Sequence, residues 1–137
     1  MKPHIKYRSG YKHQLADDYT VETGICPPVA VRSDFIDLDA NGLMSFRSDY
    51  AWDGPSGPVF ATKSSMRGSL VHDGLYQLIR MELLPAYIRA EADDLMRRLF
   101  LEDKMFKVRA WAWWKIVKRM AKRAASPKAV KKVRIAP

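Results

Sequence analysis

The spacing of hydrophobic and polar positions changes halfway along the chain. Tyr19-Thr20-Val21-Glu22-Thr23 alternates apolar and polar side chains, the two-residue period of a strand with one buried face. Ile5–Arg8 and Tyr11–Leu15 flank Ser9-Gly10 and read as short strands meeting at a turn. Phe35–Leu38 and Leu43–Phe46 flank Asp39-Ala40-Asn41-Gly42, which has the chemistry of a hairpin turn. Cys26-Pro27-Pro28 breaks the alternation, because proline supplies no ladder donor. Trp52-Asp53-Gly54-Pro55-Ser56-Gly57-Pro58 is then a glycine and proline loop that fits neither a helix nor a central strand.

Beyond that loop the apolar positions recur at helical spacing. Ser64 or Ser65 is predicted to cap a first helix running to about Leu83. Leu84-Pro85 ends it, and Pro85 suits the first turn of a second helix ending near Leu101. A third is expected from about Lys104 to Arg123, stopped by Ser126-Pro127. The predicted fold class is α+β: N-terminal antiparallel hairpins or a small sheet, a glycine loop, then three α-helices. One domain over residues 1–124 and a flexible basic tail over 125–137 are expected.

Composition narrows the class. At 137 residues and 47% hydrophobic content, the chain is long enough for a real core and is not disordered overall. Met1-Lys2-Pro3-His4 leads into polar sequence, predicting no signal peptide, and no apolar run approaches the roughly 18 residues of a membrane span. The single cysteine, Cys26, has no partner for an internal disulfide and is expected to be a small buried hydrophobe. The net charge of +9 is unevenly placed: the 34 residues from Lys104 onward carry twelve basic side chains and no acidic one. A mildly acidic body therefore bears a basic arm suited to phospholipid headgroups or nucleic acid phosphates.

A helical wheel of the first helix gathers Leu70, Val71, Leu75, Leu78 and Met81 into an apolar arc, with Gly74 inside it. His72 falls at the edge of the arc, Tyr76 lies one turn below it, and Asp73 points away. The second helix has a stripe of Ile88, Ala92, Leu95, Met96 and Leu99, with Asp93 beside it and Asp94 turned outward. If the two helices fold back antiparallel, Asp93 reaches one nitrogen of His72, fixing its tautomer and favouring its protonated form. Two plainer arrangements stand beside this one. Arg89 and Arg97 lie one turn from Asp93 and offer it salt bridges, and the plain arrangement of His72-Asp73 is a satisfied histidine on a capped helix beside a solvent-facing aspartate. Asp73, Asp53 and loop carbonyls of Gly54 and Gly57 form an oxygen set of the kind calcium takes. No second cysteine or paired histidine stands at spacing for a softer metal. Ser56 lacks the glycine elbow of a nucleophilic serine and reads as a turn residue.

The segment His72-Asp73-Gly74-Leu75-Tyr76, after a glycine loop and before Ala92-Asp93, resembles the phospholipase A2 superfamily, most closely its disulfide-free viral forms. The resemblance covers about Trp52–Phe100. It implies that His72 is the general base, Asp73 a calcium ligand, Asp93 the carboxylate orienting the histidine, and Tyr76 a partner in that network. Gly54 and Gly57 would then belong to the calcium loop. The loop departs from the family pattern, with fewer glycines and with Pro55 and Pro58 lacking N–H groups. The wider set, Asp53-Gly54-Pro55-Ser56-Gly57-Pro58, Leu70-Val71-His72-Asp73-Gly74-Leu75-Tyr76, Ala92-Asp93 and a basic tryptophan helix, is similar to a phage- and prophage-encoded family of unknown function. That resemblance implies a viral product made in the host cytoplasm, either membrane-peripheral or virion-associated.

On the third helix, Met105, Phe106, Ala110, Trp113, Ile116, Val117 and Met120 are expected to form the apolar face. Trp111 projects opposite, among Lys107, Lys115, Lys118 and Lys122. An exposed indole among lysines suits a membrane interface or stacking on a base, and ordinary packing against the fold is the plain alternative. Two functions follow as expectations. One is a calcium-dependent, phospholipase A2-like hydrolase held on anionic phospholipid membranes. The other is a non-enzymatic phage structural or accessory protein that binds DNA or another virion protein through its basic arm.

Overall fold

In the computed structural model, the described residues are 7–8, 13–52 and 63–124, with side chains described for 13–52 and 63–120. The fold is α+β. Seven short strands, β1 (Tyr7–Arg8), β2 (His13–Leu15), β3 (Tyr19–Glu22), β4 (Val31–Arg32), β5 (Ile36–Leu38), β6 (Leu43–Phe46) and β7 (Ala51–Trp52), precede three helices. The helices are α1 (Lys63–Arg80), α2 (Ile88–Glu102) and α3 (Lys107–Ala124). These residues fall into two compact units, one within Met1–Asp53 and one within Gly54–Lys131.

The first unit holds two antiparallel sheets, with strand orders β1-β2-β7 and β3-β6-β5-β4. The β5–β6 hairpin has the expected register, Leu38 opposite Met44 and Ile36 opposite Phe46. Its turn closes with Gly42 N–H donating to the Asp39 carbonyl at 2.9 Å. Gly42 has φ 90°, a left-handed conformation that other L-residues rarely adopt. Along β3, Tyr19 and Val21 are buried and Thr20 and Glu22 exposed, as the alternation predicts. Tyr19, Phe46 and Tyr50 stack in series within this unit. The two-residue strands β4 and β7 carry too little pattern to be read in sequence. Cys26 is exposed, contrary to expectation, because the segment after β3 leaves the sheet and buries Ile25 and Pro27 on either side of it.

In the second unit α2 folds back along α1, and α3 folds back along α2. The α1–α2 seam is built on close approach. A Cβ placed on Gly68 would lie 2.5 Å from the Phe100 ring, so only glycine lets the helices meet there. Next to it, buried Arg67 spans from α1 to the far end of α2, bonding both Asp103 carboxylate oxygens (3.1 and 3.2 Å) and Glu102 (2.8 Å). The α2–α3 seam is an apolar cluster of Met96, Phe100, Met105, Ala110 and Trp113, with Val117 partly buried against it.

Helix ends differ from expectation by a few residues. Ser64 and Ser65 are already helical, α1 stops at Arg80, and Met81 is exposed beyond it. Both α1 and α2 close with the paired bonds of a Schellman motif. Leu83 N–H reaches the Leu78 carbonyl and Glu82 N–H the Ile79 carbonyl. Met105 N–H reaches Phe100 and Lys104 N–H reaches Leu101 in the same way. The left-handed position is Glu82 (φ 61°) in one and Lys104 (φ 72°) in the other, where glycine is usual. Phe106 stands just ahead of the first residue of α3 and is 81% exposed, so it does not join the apolar face assigned to it. Met120 is also exposed, leaving that face narrower than expected.

Candidate functional site

The site lies in the α1–α2 seam. His72 leaves α1 at the edge of the buried arc, and Asp93 leaves α2 beside Ala92, in the stripe that packs against α1. The antiparallel arrangement brings them together: His72 Nε2 lies 2.7 Å from Asp93 Oδ1. Tyr76, one turn along α1 from His72, donates its hydroxyl to the same Oδ1 at 2.6 Å. The imidazole and phenol rings lie against each other, with centroids 4.1 Å apart. Asp93 is 1% exposed, and the alternative of salt bridges to Arg89 and Arg97 is not what holds it. Arg97 instead stacks over the Trp114 ring.

One carboxylate oxygen therefore receives two donors. With Nε2–H directed at Asp93, the neutral ring presents Nδ1 as a lone pair. Nδ1 lies 3.8 Å from Asp73 Oδ1, beyond hydrogen-bond reach but close enough for the charges to interact. Burial of His72 works against a charged ring, but Asp73 and Asp93 outweigh it, and its pKa stands above the ordinary 6.5. Burial, then the bond to Asp93, pushes the Tyr76 hydroxyl well above its usual 10, so it stays a donor. The arrangement can take up a proton at Nδ1 and hold the resulting cation between two carboxylates.

The sequence-based set is brought together in part. His72, Tyr76, Asp93 and Asp73 converge, while Asp53, Gly54 and Gly57 lie outside the described residues. The Asp73 carboxylate is a hard oxygen donor and about one-third exposed, which suits calcium in kind. Calcium takes six to eight oxygens, and among the described residues no group of three or more histidine, cysteine or acidic side chains is placed to hold a metal ion; the loop that would supply the further oxygens lies outside them.

On α3, Trp113 is buried against Phe100, as expected of the core position. Trp111, Lys107 and Lys115 are exposed, with Lys115 Nζ 5.5 Å over the Trp111 ring. Lys118 is committed elsewhere: its Nζ is 3.6 Å from Asp94 and 4.9 Å over the Trp114 ring. Trp114 donates its indole N–H to Asp94 at 2.9 Å. The side chain of Lys122 lies outside the described residues. Neither the Arg67 clamp nor the Trp114–Asp94 bond was legible in advance. Their one sequence signal is a basic or aromatic residue placed where an antiparallel partner carries acids. Among the described residues no helix is long and apolar enough to cross a membrane. Compared with known proteins, the chain matches no family model, no curated protein and no solved structure.

Proposed function

We infer that the protein is a hydrolase of the phospholipase A2-like kind, in which His72 activates water against an ester. The observation that carries the reading is the shared oxygen of Asp93, which holds His72 Nε2 at 2.7 Å and the Tyr76 hydroxyl at 2.6 Å. A buried histidine tied at one nitrogen has its tautomer fixed and its other nitrogen assigned to proton transfer. Water gives a proton to Nδ1 as its oxygen bonds to the ester carbonyl carbon. The carbon–oxygen bond to the leaving group then breaks, and the proton on Nδ1 passes to the departing alkoxide. Asp93 steadies the ring in its charged state, and Tyr76 restrains Asp93. Asp73 would be the side-chain ligand of a calcium ion. When bound, that ion would supply positive charge to the carbonyl oxygen.

Hydrolysis of mixed phosphatidylcholine and phosphatidylglycerol vesicles by the purified protein tests this. His72→Ala is expected to lose at least about a hundredfold in rate, the scale of general-base catalysis. Equal rates in wild type and His72→Ala reject the mechanism, and undiminished wild-type turnover in EDTA removes calcium from it. The near-complete burial of His72, at 8% exposure, favours a second reading. In it the network only pins α1 to α2 in a non-enzymatic phage accessory protein. Absence of ester hydrolysis by wild type, together with a lower melting temperature in His72→Ala, selects that second reading.

A further inference from the structure

α3 turns Ala110 and Trp113 into the core, and Val108, Trp111, Lys115 and Arg119 away from it. Their spacing of three, four and four residues sets them along one side of the helix. Val108 is 72% exposed and Trp111 45%. Lys107 adds a cation at the start of this ridge. The whole helix contains no acidic residue. Among the described residues, no acidic side chain pairs with Lys107, Lys115 or Arg119, whereas Lys118, on the flank, is held by Asp94. The ridge is thus a row of uncompensated cations with an indole and a valine set among them.

We propose that this ridge, Lys107-Val108-Trp111-Lys115-Arg119, docks α3 flat on an anionic lipid bilayer. The positive row complements phosphate headgroups, and the indole sits at headgroup depth, where its apolar rings and N–H are both satisfied. Val108 decides between lipid and nucleic acid. A base offers an isopropyl group nothing to stack on, whereas acyl chains take it up. The ridge also carries a single aromatic ring, and that ring is already covered by Lys115 at 5.5 Å. The surface shares no residue with the histidine site and stands or falls separately from it.

Co-sedimentation of the full chain with phosphatidylcholine vesicles, with and without phosphatidylglycerol, provides the test. Binding is expected only with the anionic lipid, and it should weaken as salt rises. Lys115→Gln and Arg119→Gln should each weaken binding about fivefold, and Val108→Ser and Trp111→Ala should weaken it further at fixed charge. All four residues are exposed, so unchanged melting temperatures are expected to accompany these losses. His72→Ala should bind as wild type does. Equal binding to neutral vesicles, or wild-type binding by the four variants, overturns the proposal. Tighter binding to duplex DNA than to anionic vesicles, with Val108→Ser silent, overturns it in favour of nucleic acid.

Discussion

Asp93 and Asp94 are neighbours on α2, yet the two seams they serve are held differently. Asp93 faces α1 in a buried seam, where one of its oxygens accepts from both His72 and Tyr76. Asp94 faces α3 with its side chain 67% exposed, touching Trp114 and Lys118 beside an apolar cluster that packs without it. The same chemical group is therefore buried and doubly bonded in one seam and largely solvated in the other. The difference is the burial of the acceptor: donors left beside a 1% exposed Asp93 lose a buried partner, whereas around Asp94 solvent supplies a substitute.

The largest expected effect follows directly. Asp93→Ala strands His72 and Tyr76 together, and urea unfolding should show a loss of about 3–5 kcal/mol. Asp94→Ala should cost less than about 1 kcal/mol in the same measurement. Comparable losses at the two positions would erase the distinction between the seams.

Proton linkage sharpens the contrast. Because the folded His72 pKa is raised, its contribution to stability is full below about 6.5 and is lost as pH rises through the folded value. The stability advantage of wild type over His72→Asn should therefore shrink as pH increases above about 6.5. Ester hydrolysis of the proposed kind should run the opposite way, rising across that window as the ring becomes neutral and able to accept a proton. Asp93→Asn should move both transitions to lower pH, whereas Asp94→Asn should leave them in place.

The smallest effects concern the helix ends. Glu82→Gly and Lys104→Gly relieve left-handed non-glycine residues and should each add about 0.5–1 kcal/mol, read by thermal melts. Glu82 lies in the turn that follows α1 and Lys104 in the turn that follows α2, and both are exposed. Similar gains would place the contrast between the seams in their side chains rather than in the turns.

What the sequence disclosed was whatever repeats with a period. The switch from two-residue to helical spacing located the β region and the three helices. His72 and Asp93 were legible because each sits at the edge of an apolar stripe, where a polar group has to find a partner, and Tyr76 through its place one turn from His72 and the family resemblance. Contacts set by two helices jointly were not legible. Arg67 with Asp103 and Trp114 with Asp94 link residues 36 and 20 positions apart, and nothing local marks either pair. Gly68 carries no local mark either, and a packed ring faces it at a crossing point that only the assembled helices define. The end of α2 falls within a residue of the expected Leu101, whereas α1 stops at Arg80 and not Leu83, because Glu82 occupies the left-handed position where glycine is the usual signal.

Gly68 sits one turn before His72 on α1. A methyl group at that point would meet the Phe100 ring and wedge the two backbones apart. The imidazole and the carboxylate would be drawn away from each other with neither altered. Proton chemistry at residue 72 thus depends on an omission at residue 68, and a mutation there would mimic loss of the acid while leaving every titrating group in the chain.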